Sequence, residues 1–253
     1  MASTTILVTG ASSGIGAALA KVYATRATNL VLWGRDAERL AQTARVCRNL
    51  GSAVQTLQFD LRNIGEIAGH IRNFDAEWPI DIAILNAGLG GAASVDHAAE
   101  CAERSSDVAT VNFTASVVGA NAVAECMATR GRGHIVLMGS VADTVPLPMA
   151  PTYSGSKAGL KMFAESLAIR LEHHGIRVTI VSPGFVDTAM SRQVHAPKPF
   201  MISAEDAAAI VKRRLEKRGR RIVLPWPYGI LTIAFRWLPG PFRRTVLRAM
   251  PRG

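Results

Sequence analysis

The chain has 253 residues, with 29 Lys and Arg against 19 Asp and Glu, and is 49% hydrophobic but only 6% aromatic. That length suits one large α/β domain that buries its core without disulfide or metal staples, and it excludes a small disulfide-framed module. The three cysteines, Cys47, Cys101 and Cys126, form no CxxC pair and no zinc-spaced cluster with the six histidines, so no metal is expected and a reducing compartment fits.

Taken in chain order, apolar runs alternate with amphipathic stretches. Residues 1–5 lack the basic and long apolar regions of a signal peptide, and no run of about 18 apolar residues follows, so a cytoplasmic protein is expected. The patterning predicts strands over Thr5–Val8, Asn29–Trp33, Ala53–Phe59, Ile80–Leu85, His134–Met138 and Arg177–Val181. Helices are predicted over Gly16–Thr25, Ala37–Leu50, Ile64–Phe74, residues 100–129 and Tyr153–His173. His173 and His174 carry no HExxH pattern and read as solvent or capping residues. Strands that alternate with helices and are apolar on both faces call for a doubly wound parallel sheet of Rossmann-like type. Ile222–Leu224 could add a last strand. Beyond it come two short apolar-plus-basic helices, Ile230–Leu238 and Phe242–Met250, parted by Pro239-Gly240-Pro241. The organisation expected is therefore a single catalytic domain, 1–225, with a short helical appendage, 226–253.

The first strand runs into Thr9-Gly10-Ala11-Ser12-Ser13-Gly14-Ile15-Gly16, a TGxxxGxG turn that opens a helix. Glycines there let the backbone approach a phosphate, and the helix N-terminus faces it. Alone, this motif also fits a glycine-rich turn with no ligand. Further elements stand in order behind it: Asp60-Leu61 after the third strand, Asn86-Ala87-Gly88 at the end of the fourth, Asn112 in the following helix, and Ser140 after the fifth strand. Tyr153-Ser-Gly-Ser-Lys157 is a YxxxK motif, and Pro183-Gly184 with Thr188 makes PGxxxT after the sixth strand. Together, over about residues 4–190, these motifs resemble the short-chain dehydrogenase/reductase family.

The chemistry of the central pair is legible on its own. Tyr153 and Lys157 are four apart on a helix and share a face. A free phenol titrates at about 10 and is a poor base at neutral pH, but a neighbouring ammonium favours the phenolate. Such a tyrosine can hand a proton to a carbonyl oxygen or take one from an alcohol. The resemblance implies more. Ser140 would polarise the substrate oxygen, and Asn112 would hold a water in a relay to Lys157, although a helix-interior Asn also fits plain backbone bonding. The resemblance assigns the cofactor to Gly10, Ser12, Ser13, Gly14, Ile15, Gly16, Asp60, Leu61, Asn86, Ala87, Gly88, Tyr153, Lys157, Pro183, Gly184, Val186 and Thr188. Two positions depart from the family pattern: Leu85 precedes Asn86 where a second Asn is common, and Gly139 precedes Ser140 where Ser is frequent.

An NAD site places a carboxylate at the end of the second strand. Here that position falls on Gly34, and Arg35 follows, which suits the 2′-phosphate of NADP(H). Asp36 is one place late and reads as a helix cap, so NADP(H) is expected over NAD(H). The function implied is an NADP(H)-dependent oxidoreductase acting on a carbonyl/alcohol pair. A silent nucleotide-binding scaffold on the same fold is the alternative, and an epimerase a remoter one. Asp187–Ser203 would form a lid whose Met190, Phe200 and Met201 suit an apolar substrate. The resemblance also implies a homodimer or homotetramer through residues 100–129 and 153–173.

Residues 212–253 hold 12 Lys and Arg against the single acid Glu216, so the formal +10 charge belongs to the C-terminal segment. Trp226, Tyr228, Phe235, Trp237 and Phe242 lie among its arginines. Such a segment suits peripheral contact with the inner face of a membrane, a partner subunit, or the protein's own cleft. Nucleic acid is disfavoured, because no recognition motif accompanies the charge.

Overall fold

The computed structural model describes residues 3–91, 99–194, 196–217 and 219–248. Seven strands form one all-parallel sheet: β1 (Thr4–Thr9), β2 (Thr28–Gly34), β3 (Ala53–Gln58), β4 (Ile82–Leu85), β5 (Gly133–Met138), β6 (Ile176–Pro183) and β7 (Arg221–Leu224). Their spatial order is β3-β2-β1-β4-β5-β6-β7. The order reverses direction between β1 and β4. In open α/β sheets that switch point, at the C-terminal strand ends, is where ligands bind.

The central strands are apolar on both faces because helices cover both. Ile6, Val8, Leu30 and Leu32 face one layer, with α1 (Gly14–Tyr23), α2 (Ala37–Asn49) and α8 (Ala204–Glu216) supplying its helical residues. Leu7, Val31, Trp33, Ile135 and Leu137 face the other, against α3 (Ile64–Glu77), α5 (Ala115–Ala128) and α6 (Pro151–Leu171). These alternating side chains are the physical reason that the strands read as continuous apolar runs. Register follows from the same pattern: Ile6 pairs with Leu30 and Ile82, and Val136 with Ile84 and Thr179.

The expected doubly wound fold is what the structure shows, with four differences of detail. The helix expected over 100–129 is two: α4 (Ala102–Ala109) passes through a π-helical turn, Thr110–Thr114, before α5 begins. α8 was not anticipated, although Ser203 caps it by accepting from the Asp206 N–H at 3.0 Å and Ala204, Ala207, Ala208, Val211 and Leu215 line its buried face. A four-residue helix, α7 (Ala189–Arg192), lies inside the expected lid. Finally α9 (Trp226–Trp237) starts earlier than expected, and α10 (Gly240–Arg248) begins inside the Pro-Gly-Pro segment. Pro at a first helical position lacks only an N–H that has no partner there, so the prolines start these helices. The expected end of the last helix, Met250, lies outside the described residues.

Candidate active site

The glycine turn forms a backbone cradle at the switch point. Gly10 and Gly14 have φ of +69° and +53°, a region that side chains other than glycine rarely adopt. A Cβ at Gly16 would lie 2.2 Å from the Gly10 carbonyl oxygen, so α1 can cross β1 this closely only through glycine. Ser13 is the N-cap of α1 but makes no side-chain cap bond, and the first turn carries no acid. The free N–H groups there form a site for an anion. Thr188 stands opposite, its methyl 3.1 Å from where a Gly14 Cβ would be. Its hydroxyl accepts from the Ser191 N–H, closing a capping box on α7. The Ile15 and Leu61 side chains are half-buried and pack on the two cores, while Val186 is buried and bridges Ile202 across the base of the lid.

Two asparagines are spent on the scaffold. Asn86 donates through Nδ2 to the Thr9 carbonyl at 3.0 Å, and the Thr9 hydroxyl accepts from the N–H groups of Asn86 and Ala87. Asn112 is fully buried in the π turn. It clamps Leu89 from both sides, accepting from its N–H at 2.7 Å and donating to its carbonyl at 2.9 Å. The side-chain amide is thus committed to shaping the strand-end loop through Gly88.

Tyr153 and Lys157 lie in the first turns of α6, beside the C-terminal end of β5. The Lys157 Nζ donates to the Met138 carbonyl at 2.8 Å and stands 5.7 Å from the centre of the Tyr153 ring. Ser140 caps the short turn Val141–Asp143, its hydroxyl accepting from the Ala142 N–H at 3.2 Å. Burial is the largest influence on both groups. It pushes the Tyr153 phenol up, the neighbouring Ser140 hydroxyl opposes it, and the Asp143 carboxylate adds to the rise. Burial drives Lys157 down to about 8, with Asp143 working in the opposite direction. The expected lowering of the phenol by Lys157 is therefore not the dominant effect in this structure. Lys157 loses its own hydration inside the site, and the local carboxylate favours the neutral phenol.

Asp143 was not singled out from the sequence. Its side chain is wholly enclosed, accepting from Ser182 at 2.5 Å, Thr144 at 2.6 Å and Arg221 at 3.0 Å. It thereby ties the Ser140 turn to β6 and β7.

At the end of β2, a Cβ on Gly34 would sit 3.1 Å from the Ser12 Cβ and 3.2 Å from Leu40, so a larger residue there would crowd the glycine turn. Asp36 caps α2, accepting from the Arg39 N–H at 2.9 Å, and so faces away from the cradle's chemistry. Arg35 is exposed and helps hold the Asp60 carboxyl below its usual range, behind the larger effect of Arg62. Arg62, also missed in the sequence, takes both oxygens of Asp60. Asp60, expected among the cofactor residues, is thus engaged by a guanidinium.

In the segment expected to form the lid, Met190 lies against Gly90. α9 grips the lid from behind. The Tyr228 ring packs on Gly184, and its hydroxyl donates to the Pro199 carbonyl at 2.6 Å. Phe185 and Phe200 meet the same ring edge-on.

A phosphate-sized cradle, a paired tyrosine and lysine, and a serine at adjoining strand ends define an oxidoreductase of the doubly wound class. The family model described as short chain dehydrogenase matches residues 4–199. An uncharacterized oxidoreductase of Mycobacterium tuberculosis is 34% identical over 251 residues, 98% of this chain and 97% of its own. One of Myxococcus xanthus is 32% identical over 242 residues, 95% of each chain. Among solved structures, a short-chain dehydrogenase from Sphingobium yanoikuyae in complex with NADPH superposes with a TM-score of 0.80 at 28% identity, covering 99% of this chain and 97% of that one. The bulky-bulky ketone specific alcohol dehydrogenase from Comamonas testosteroni gives 0.79 at 26%, covering 100% and 97%. The chain belongs to the short chain dehydrogenase family.

Proposed function

We propose that the protein is an NADP(H)-dependent oxidoreductase that interconverts a carbonyl and a secondary alcohol on an apolar small molecule. The observation that carries this reading is Tyr153 with the Lys157 amine 5.7 Å from its ring and Ser140 at the adjoining strand end, next to the glycine cradle. The cradle fits a dinucleotide: left-handed glycines, an uncapped α1 N-terminus and Thr188 across from it are what a pyrophosphate and its neighbours require. When bound, the nicotinamide supplies or accepts the hydride. Arg35, with Gly34 leaving the acidic position empty, would meet a 2′-phosphate, and the NADPH complex of the Sphingobium relative supports that preference.

The chain's own residues handle the proton. In the reducing direction Ser140 donates to the substrate oxygen and stabilises charge as it develops there. The Tyr153 phenol, which burial and Asp143 keep protonated, delivers its proton to that oxygen. Lys157 holds a ribose hydroxyl and stabilises the phenolate that results. Asn112 shapes the loop around Lys157 and backs a water relay through the π turn. Met190, Phe200 and Met201, each at least a third exposed on the lid, suit an apolar substrate; the ketone specificity of the Comamonas relative supports the same reading. A second copy of the chain, a cytoplasmic setting and a membrane surface at the C-terminal segment complete the proposed partners.

The test is NADPH consumption against a panel of ketones and aldehydes, with Tyr153→Phe as control. Turnover should fall about 10²–10⁴-fold in the variant while NADPH binding persists. Rates within tenfold of the parent would reject Tyr153 as the proton donor.

A further inference from the structure

We infer that the membrane contact proposed for the C-terminal segment is made by one built face, the outward side of α9 together with α10, and that its occupant is an anionic lipid surface. Trp226, Ile230, Ile233 and Trp237 are 67%, 59%, 62% and 81% exposed. Their spacing of four, three and four residues confines them to about 60° of the helix surface. Tyr228 and Thr232, the buried residues of α9, lie on its opposite side. α9 is therefore already seated on the enzyme, and the stripe cannot be the face that covers the cleft. A tryptophan stands at each end of the stripe, about 16 Å apart along the axis. Tryptophan favours the boundary between headgroups and acyl chains, and a helix with this pattern lies flat in that boundary. With 12 residues, α9 is too short to cross a bilayer, and among the described residues no helix is long and apolar enough to do so.

The charge selects the lipid. No Asp or Glu occurs after Glu216, while Arg236, Arg244 and Arg248 flank the stripe with no carboxylate partner among the described residues. Arg243 has a different task. It donates to the carbonyls of Leu238 and Arg236 and covers the Phe235 ring, which fixes α10 against the end of α9. The two helices thus form an elbow held by Arg243, with the apolar ridge on α9 and exposed cations on both helices. A second copy packed face to face by two-fold symmetry would bring cations and no carboxylate from either tail to the shared surface, which argues against a self-interface.

The experiment uses the full chain with sucrose-loaded vesicles of phosphatidylglycerol and phosphatidylcholine in equal parts, and with phosphatidylcholine alone. The chain should sediment with the anionic vesicles at low salt and be at least about tenfold weaker on neutral vesicles or at ~0.5 M salt. Ile230→Asp with Ile233→Asp should abolish sedimentation, and Arg244→Ala with Arg248→Ala should weaken it about 25-fold, about fivefold per cation. NADPH turnover of a water-soluble ketone is followed in the same samples. Retained turnover in the variants shows that the fold is intact, so a lost vesicle signal belongs to the face. Sedimentation without turnover would overturn the enzymatic reading and leave this one standing. The inference fails if the intact chain ignores anionic vesicles at low salt. It fails equally if the isoleucine variant instead lowers the particle mass by light scattering, which would make the stripe an interface between copies.

Discussion

Lys157 gives the sharpest test of the site's electrostatics. Its amine is 4% exposed, and burial brings it to about 8 from an ordinary 10.5. That gap corresponds to about 3 kcal/mol at 1.36 kcal/mol per pH unit. Above pH 8 the free enzyme therefore loses its ammonium by a decade for each unit. kcat/KM reports the ionisation of free enzyme, so kcat/KM for NADPH-linked reduction should fall about tenfold per unit above roughly pH 8. The perturbation that tests the cause is Asp143→Asn. Asp143 is the anion that opposes burial at Lys157. Without it the ammonium is lost at lower pH, so the alkaline limb should move down. Asn fills the same volume and can still bond Ser182 and Thr144. Arg221 and Lys161 lose the carboxylate, but both still meet the Thr144 hydroxyl, and the Arg221 side chain is 31% exposed. The stability cost should thus be about 1–3 kcal/mol, below the 3–5 typical of a fully buried pair. The assay is a pH–rate profile from about pH 6 to 10, alongside thermal melts of both proteins. A profile flat through about pH 9.5, or a limb that moves upward in Asp143→Asn, would refute the reasoning.

Three further outcomes are expected. NADPH should outperform NADH in kcat/KM, and Arg35→Ala should narrow the gap; parity or better with NADH in the unmodified protein would count against Arg35 as the phosphate ligand. His134, buried in β5 and bonded to Thr179, is driven down to about 4 from 6.5 by burial, with Arg177 adding to the effect. The unfolded chain takes up this proton near pH 6.5 and the folded one only near 4, so the contribution is intact above 6.5 and lost as pH falls to 4. Urea melts should show that His134→Gln removes about 3 kcal/mol of this acid dependence, and an unchanged pH slope would contradict it. Light scattering at micromolar concentration should report a dimer or tetramer, and a monomer would contradict the proposed pairing through α4–α5 and α6.

The strands were legible because helices on both faces leave them no polar side, and that requirement is written locally in runs such as Asn29–Trp33. The Tyr153–Lys157 pair was legible because one helical turn brings both to a common face. α8 was equally readable from Ser203, Asp206 and the spacing of its small residues. Counting residues from 212 onward as a basic segment drew attention to its charge rather than to this spacing. Asp143 was not readable, since its partners Ser182 and Arg221 lie 39 and 78 residues away. The π turn is likewise explained only by Leu89, which Asn112 meets across 23 residues. Tyr228 looked like one more aromatic among arginines until Pro199 and Gly184 were found beneath it.

That last contact has an evolutionary and practical reading. Because Tyr228 bonds Pro199 and rests on the turn after β6, a change in the tail is passed to the segment proposed as the lid. Grafting residues 226–253 from a relative would import a new lid posture along with a new surface. A library that varies the tail alone should therefore drift in substrate choice even while Ser140, Tyr153 and Lys157 stay untouched. Conversely, a change in the proposed substrate preference has a route through α9 that leaves Ser140, Tyr153 and Lys157 alone.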